Sequence, residues 1–143
     1  MTAEEPVKTD ILIIGCGIAG ASAALEAAKS GLDVTVVTKS PRPEETNTHY
    51  AQGGIVSMGP HDSPEILARD IFLAGDGINN PDAVGILTQE CRGLVEGILL
   101  GELNVPFSRT EAGALDFAQE AGHSMRRILH VDDATGRTIE EKF

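Results

Sequence analysis

Three glycines near the start of the chain have the spacing of a dinucleotide-binding turn, Gly-x-Gly-x-x-Gly. In this motif the first glycine, Gly15, permits a tight turn, and the second, Gly17, lets the backbone approach a pyrophosphate. The third, Gly20, allows a helix to pack closely on a strand, and the amides and dipole of the helix N-terminus hold the anion. A glycine-rich turn in an ordinary α/β protein is the alternative interpretation. The motif predicts that a dinucleotide is bound by Gly15, Cys16, Gly17, Ile18, Ala19 and Gly20.

A second stretch of chemically capable side chains lies near the end of the chain, at residues 120–130. Arginine is suited to binding carboxylates through two parallel hydrogen bonds, so this stretch is a candidate for carboxylate recognition. Structural roles are an equal alternative for its two arginines and its second histidine. The ionisable residues of the stretch are Glu120, His123, Arg126, Arg127 and His130.

The elements that position the glycine motif form a βαβ unit over residues 9–38. A short apolar, β-branched run at residues 11–14 predicts a buried parallel strand, and an alanine-rich helical pattern follows it and ends at Gly31. A second β-branched run at residues 33–38 predicts the next strand, reached by a right-handed crossover. Strand, turn and helix together are the context that the glycine motif requires.

The end of the second predicted strand argues against NAD as the dinucleotide. NAD-binding domains place an acidic residue there, which hydrogen-bonds a ribose hydroxyl. This chain has Thr38 followed by Lys39. Lys39 either contacts a phosphate of the cofactor or is a solvated lysine at a strand end, and we include it among the candidate cofactor-binding residues.

The rest of the chain divides into four segments. Residues 40–62 are rich in glycine and proline and predict a long loop, which is usually functional or disordered. Helices are predicted over residues 63–103, because Ser63-Pro64 and Asn80-Pro81 are good helix starts. A hairpin is predicted over residues 105–117. For the second helix, three-and-four spacing predicts a core stripe of Val84, Leu87, Cys91, Leu94 and Ile98.

Composition limits the classes of protein to which the chain can belong. The chain has 143 residues and a formal net charge of −11, so nucleic acids and anionic membranes are unfavourable partners. Its apolar window at residues 11–28 contains the motif glycines and follows the acidic start Glu4-Glu5, so it predicts neither a signal peptide nor a membrane segment. The last residues predict a helix just under way, and we therefore expect a fragment of a larger fold.

The two cysteines predict neither a disulfide framework nor a metal site. Cys16 and Cys91 are far apart and form no CxxC pair or metal cluster. We expect both to be buried thiols in a reducing cytoplasm.

Four motifs together identify a family. They are GCGIAG at residues 15–20, THYAQGGI at 48–55, VPFSRT at 105–110 and EAGHSMRRILHVDDATGRTI at 120–139. With these motifs, nearly the whole chain resembles the N-terminal part of the L-aspartate oxidase family. That family belongs to the flavoprotein group that includes succinate dehydrogenase and fumarate reductase. The resemblance implies an α/β fold: a Rossmann-like FAD-binding domain with a parallel sheet and flanking helices, followed by the start of a capping domain. Residues 1–143 would then be the N-terminal part of that domain.

The resemblance also implies that FAD is held without a covalent bond. In succinate dehydrogenase-like relatives the histidine that bonds to the flavin comes four residues before the alanine of AQGG, and here that position is Asn47. His49 is two residues too late, and an ordinary loop histidine is the alternative for it. Gly53 and Gly54 would let the backbone approach the flat ring. The implied flavin-binding residues are Asn47, Thr48, His49, Tyr50, Ala51, Gln52, Gly53 and Gly54.

Glu120 occupies the position at which the resemblance separates substrates. Aspartate oxidases have an acid where dicarboxylate dehydrogenases have an apolar residue, and a carboxylate can compensate the desolvated α-ammonium of an amino acid. The resemblance implies catalytic roles for Glu120 and His123; a surface-loop glutamate is the alternative for Glu120. The family usually has glycine where this chain has Ala121, which would be strained if a positive φ were required there.

The implied reaction is the oxidation of L-aspartate to iminoaspartate by FAD, with oxygen or fumarate as the final acceptor. Iminoaspartate would feed quinolinate synthase in NAD biosynthesis. The alternatives are a flavoprotein subunit of fumarate reductase or succinate dehydrogenase, and a non-catalytic FAD-binding fragment. An NAD(P) dehydrogenase is disfavoured by Thr38 and by the AQGG loop.

Overall fold

The N-terminal part of the fold is the predicted βαβ unit, but the prediction that its first strand is buried is wrong, since Leu12 and Ile14 are 56% and 84% exposed. A computed structural model describes residues 6–143, so the acidic start at Glu4 and Glu5 lies outside the described residues. Strand β1 spans Ile11–Ile14, helix α1 spans Ile18–Lys29, and strand β2 spans Val34–Val37. The two strands pair in parallel, with Ile11 opposite Val34. The α/β fold with a parallel sheet and flanking helices is therefore confirmed.

Two helices follow, each beginning where the sequence predicts. Helix α2 spans Pro64–Ala74, and the Ser63 hydroxyl before it accepts a hydrogen bond of 3.3 Å from the Ile66 amide. Helix α3 spans Pro81–Leu94 and is capped by Asn80, whose side-chain oxygen accepts from two backbone amides. A π-helix over Val95–Glu102 continues α3. Each cap satisfies amides that the helix itself leaves unpaired.

The predicted core stripe of α3 is wrong in part. Val84 is buried, but Leu87 and Leu94 are 50% and 53% exposed, and Cys91 and Ile98 are half-buried. Helix α3 buries Val84 and Thr88, and the π-helix that continues it buries Val95 and Leu99. The side of α3 that faces the core is therefore not its most apolar side. Leu87 and Leu94 line an open groove instead.

A second, antiparallel sheet lies in the C-terminal half. Its strands are β3 at Ile55–Val56, β4 at Phe117–Ala118 and β5 at Ile128–Leu129, in the order β3-β5-β4. Strand β3 lies inside the segment predicted as a loop. The predicted hairpin over 105–117 is present as a bridge between Arg109 and Leu115, while its last residue joins β4.

The main core lies where the π-helix, the second sheet and the last helix meet. Helix α4 spans Thr135–Glu140. The buried apolar cluster comprises Val95, Leu99, Val105, Phe107, Leu129 and Ile139.

Within residues 6–143 none of the helices combines the length and apolar character needed to cross a membrane.

Candidate cofactor and substrate site

The glycine motif lines a cleft of about 680 Å³ at the carboxyl end of the parallel strands. All six predicted motif residues, from Gly15 to Gly20, line this dinucleotide cleft. The end of β2 contributes residues 37–39, which include Lys39, and the following loop contributes residues 45–48. Ligands of open α/β sheets bind in such crevices beyond the strand ends.

Two of the motif glycines, Gly15 and Gly20, occupy positions that a residue with a side chain could not take without strain or overlap. Gly15 has a φ of +104°, a conformation that side chains disfavour. A Cβ on Gly20 would overlap the carbonyl oxygen of Gly15 and lie 3.3 Å from the side chain of Ile13. The motif thus allows α1 to start directly against β1.

Thr48 joins the loop to the start of α1, a contact that sequence reasoning missed. Its hydroxyl accepts a hydrogen bond of 3.0 Å from the Ile18 amide, and α1 has no capping side chain of its own. A Cβ on Gly17 would lie 3.1 Å from the same hydroxyl oxygen. The Ile18 amide is therefore engaged by protein, and Thr48 couples the two predicted cofactor segments.

Residues 49–54 do not line the dinucleotide cleft. The His49 amide donates to the Thr46 hydroxyl over 3.1 Å, and the His49 Nδ1 atom is buried with no hydrogen-bond partner among the described residues. The hydroxyl of Tyr50 donates to Glu45 over 2.8 Å. A Cβ on Gly54 would overlap the side chain of Ile128, so this glycine is needed for packing against β5.

Glu120 and His123 are brought together by a β-turn. The His123 amide donates to the Glu120 carbonyl over 3.2 Å, and Gly122 has a φ of +86°. This is the pattern of a type II turn, which places its positive φ at the third residue. Ala121 occupies the second position and is not in the left-handed region, so the conformation puts no strain on it.

The Glu120 carboxylate lies against Gly53 of the loop. A Cβ placed on Gly53 would be 3.0 Å from the Glu120 Oε1 atom. The candidate substrate residue and the predicted flavin loop are therefore neighbours, although they are far apart in sequence. A side chain at position 53 would displace the carboxylate.

Arg127 is the centre of a buried ion-pair cluster that sequence reasoning missed. Its side chain is fully buried, and it donates to both oxygens of Asp62 over 2.7 and 2.9 Å and to Asp70 over 2.6 Å. Asp70 also accepts from the amide and the hydroxyl of Ser124, each over 2.8 Å. The Nη1 atom of Arg127 also lies 3.1 Å from Nδ1 of His123. We call these five residues the Arg127 cluster. A signal was present in the sequence, since Asp70 falls on the apolar face of α2 beside Leu67.

The charges of the cluster stabilise one another. Burial would raise the pKa of the Asp70 carboxyl, but the hydrogen bonds from Ser124 and Arg127 and the charge of Arg127 outweigh it and lower the pKa to about 2. Burial opposes the charge of Arg127 as well, but its two aspartate partners raise the pKa of the guanidinium. A charged group this deeply buried requires such compensation.

The three other ionisable residues of the 120–130 stretch differ in their burial and in their partners. Arg127 is fully buried and pairs with Asp62 and Asp70, so it does not bind a substrate carboxylate. Arg126 and His130 each come within 3.6 Å of the Asp116 carboxylate.

The two cysteines are free and half-buried, so the prediction that both are buried is wrong. Partial burial raises the pKa of the Cys91 thiol.

A protein-family comparison decides the identity of the dinucleotide. The family model described as FAD binding domain matches residues 10–143. The chain belongs to this FAD-binding family. The cofactor prediction of FAD is thereby confirmed.

Relatives of known name support the same assignment for this FAD-binding domain. It is 49% identical to an L-aspartate oxidase of Halobacterium salinarum over 97% of this chain and 26% of that protein. Among solved structures, the Mycobacterium smegmatis Sdh1 complex is similar, with a TM-score of 0.87 and 32% identity over 94% of this chain and 23% of that one. A quinol fumarate reductase of E. coli has a TM-score of 0.87 and 27% identity over 95% of this chain and 23% of that one. The chain thus spans about a quarter of their lengths, and its resemblance to L-aspartate oxidases within this flavoprotein group is confirmed.

The residues of the FAD-binding domain fit its cofactor. The dinucleotide cleft begins at a helix N-terminus, which favours a pyrophosphate. Gly15 lines this cleft and leaves open space where a Cβ would stand, so a ligand can approach its backbone closely.

Proposed function

We propose that the protein containing this chain is an FAD-dependent L-aspartate oxidase, which converts L-aspartate to iminoaspartate. Oxygen or fumarate would be the final electron acceptor. A quinolinate synthase would consume the product in NAD biosynthesis, and we place the reaction in the cytoplasm. The observation that carries the proposal is the position of the Glu120 carboxylate beside Gly53 of the flavin loop.

Glu120 would select an amino acid over a plain dicarboxylate. The α-ammonium group of L-aspartate must lose water to reach the flavin, and an opposite charge compensates that cost. Succinate has no ammonium group and would leave the carboxylate of Glu120 unpaired. His123, the fourth residue of the same turn, would also face the substrate.

The cofactor would be held by two segments. Residues 15–20 and Lys39 would bind the dinucleotide, with the pyrophosphate at the start of α1. Residues 47–54 would lie along the flavin ring. Bound FAD would supply the acceptor for the hydride, a proton with two electrons, that leaves the substrate α-carbon. The protein orients that carbon, binds the charges of the substrate and excludes water.

Glu120→Gln tests the substrate assignment in the full-length protein. We expect L-aspartate to bleach the flavin of the wild-type protein under anaerobic conditions, whereas succinate should not. The variant should retain FAD but lose about 2 kcal/mol of transition-state stabilisation, roughly 30-fold in kcat/KM. Glu111→Gln, at the exposed tip of the hairpin, is the matched control. Bleaching by succinate alone would contradict the proposal and favour a succinate dehydrogenase or fumarate reductase subunit.

Asn47 predicts a non-covalent cofactor. An amide side chain cannot form the bond to flavin that a histidine at this position forms in the succinate dehydrogenase-like relatives. Acid denaturation of the holoprotein should therefore release all FAD into the supernatant. Flavin absorbance that remains with the precipitated protein would show a covalent link and contradict this prediction.

A further inference from the structure

The position of Arg127 is fixed by hydrogen bonds of both its side chain and its backbone. Its side chain is fully buried and shares two hydrogen bonds with Asp62, which fixes the plane of the guanidinium group. Its backbone is fixed as well, since its amide donates to Ala118 over 3.1 Å and its carbonyl accepts from Ser57 over 2.9 Å. Arg127 is therefore a rigid reference point under the 120–124 segment.

The guanidinium group sets the protonation pattern of His123. The Arg127 Nη1 atom lies 3.1 Å from His123 Nδ1. Arginine has five N–H donors and no acceptor, so Nδ1 must be the acceptor. In the neutral ring the proton then resides on Nε2, because the hydrogen bond of one ring nitrogen determines the state of the other.

The same cluster holds the chain on the far side of His123. Asp70 accepts from Arg127 over 2.6 Å and from the amide and hydroxyl of Ser124 over 2.8 Å. The His123 carbonyl accepts from the Gln119 side chain over 2.8 Å. Both the ring and the backbone of His123 are thus fixed, next to the turn that carries Glu120.

We propose that Arg127 is a positioning residue, which holds His123 in the Nε2–H tautomer so that this N–H can donate to a carboxylate of the substrate. The role rests on the function proposed above, since L-aspartate carries two carboxylates besides the ammonium group assigned to Glu120. Arg127 itself does not contact the substrate, because its side chain is fully buried and binds Asp62, Asp70 and His123.

Nitrogen NMR of the full-length, FAD-loaded protein labelled with ¹⁵N-histidine tests the tautomer directly. We expect wild-type His123 to show an unprotonated Nδ1 and a protonated Nε2. Arg127→Lys should lose this single pattern, because the three N–H donors of an ammonium group cannot reproduce the four hydrogen bonds that the planar guanidinium makes. Arg126→Lys, an exposed neighbour, is the matched control and should keep the wild-type pattern. A proton on Nδ1 in the wild type, or an unchanged pattern in Arg127→Lys, would overturn the proposal.

Two substitutions of His123 test its donor and do not depend on Arg127→Lys folding. The amide nitrogen of His123→Gln can occupy the position of Nε2, whereas the shorter side chain of His123→Asn reaches only the position of Nδ1. We expect His123→Asn to raise KM for L-aspartate roughly tenfold, the value of one hydrogen bond to a charged group, and His123→Gln to raise it less. The reverse order would overturn the donor role. The nitrogen shifts are measured without substrate, so they test Arg127 even where L-aspartate fails to bleach the flavin.

Discussion

Among single residues, Asp70 shows how a charge in the interior of this domain is stabilised. It lies on the buried face of α2 and is 5% exposed. Three hydrogen bonds to one of its oxygens, from Ser124 and Arg127, more than offset the cost of burial and keep its carboxyl ionised. The residue therefore connects α2 to the segment that carries Glu120 and His123.

Asp70→Asn should destabilise the full-length protein at pH 7 by about 1–3 kcal/mol, the usual value of hydrogen bonds to a charged group. The folded-state pKa of about 2 lies below that of an unfolded aspartate, so the charge stabilises the fold above about pH 4. This contribution is lost as the pH falls from about 4 toward 2. Urea unfolding at a series of pH values should show the difference between wild type and variant shrinking over that range.

The control for this measurement is Asp133→Asn, which changes an exposed aspartate just before α4. It should leave stability at pH 7 within about 0.5 kcal/mol of the wild type. A difference between Asp70→Asn and the wild type that stays constant down to acid pH would contradict the role given to the Asp70 charge.

Among the elements, α4 holds residues 47–54, the predicted flavin-binding loop, in place although the helix lies outside the dinucleotide cleft. The Thr135 hydroxyl donates to the Gly53 carbonyl over 3.0 Å and accepts from the Val131 amide over 2.9 Å. The amide of Gly136 donates to Ala51 over 2.9 Å, and a Cβ on this glycine would overlap the Thr48 carbonyl. The start of this short helix thus packs directly on the backbone of the loop.

Thr135→Val should weaken FAD binding, since it removes the hydroxyl but keeps the shape of the side chain. The Val131 amide loses its partner, which costs about 1–3 kcal/mol, and the loop loses its bond at Gly53. Titration of the apoprotein with FAD should show a raised Kd. Thr138→Val is the matched control, because the Thr138 hydroxyl bonds only within α4, to Ala134 over 2.9 Å. Equal affinities for the two variants would contradict the role of α4.

In the whole molecule, several apolar residues lie on open surfaces. Ile86, Leu87 and Leu94 are between 50% and 66% exposed and line one groove of about 700 Å³ between α3, α1 and β3. Ile14, in strand β1, is 84% exposed. An apolar surface of this kind marks a region where further protein or another apolar molecule packs.

Leu87→Glu tests the exposure of this groove in the 143-residue chain expressed alone. The chain should bind a fluorescent hydrophobic dye, and the variant should bind less of it, because a charge in the groove disfavours apolar ligands. Far-UV circular dichroism should be unchanged. Val84→Glu is the contrasting variant, since Val84 is buried and the buried charge should unfold the chain. Undiminished dye binding by a folded Leu87→Glu would contradict the exposure seen here.

Local features of the sequence predicted much of the fold. The βαβ unit, the two capped helix starts and the hairpin follow from propensity, capping and turn chemistry, which act over a few residues. The face that α3 buries did not follow. Periodicity shows that a helix is amphipathic, but Leu87 and Leu94 are as apolar as the residues that the core does bury, and only the neighbouring elements determine which face is covered.

The candidate site, like the fold, could be predicted only in part from the sequence. Types and spacing of residues by themselves determined the dinucleotide motif and, with the family resemblance, the choice of Glu120 and His123. Only the tertiary structure decided that Glu120 lies beside Gly53, that Thr48 caps α1 and that Arg127 is buried under His123. The physical reason is distance along the chain: the partners of Arg127 are up to 65 residues away, and a pattern in sequence carries no information on which distant charges will meet.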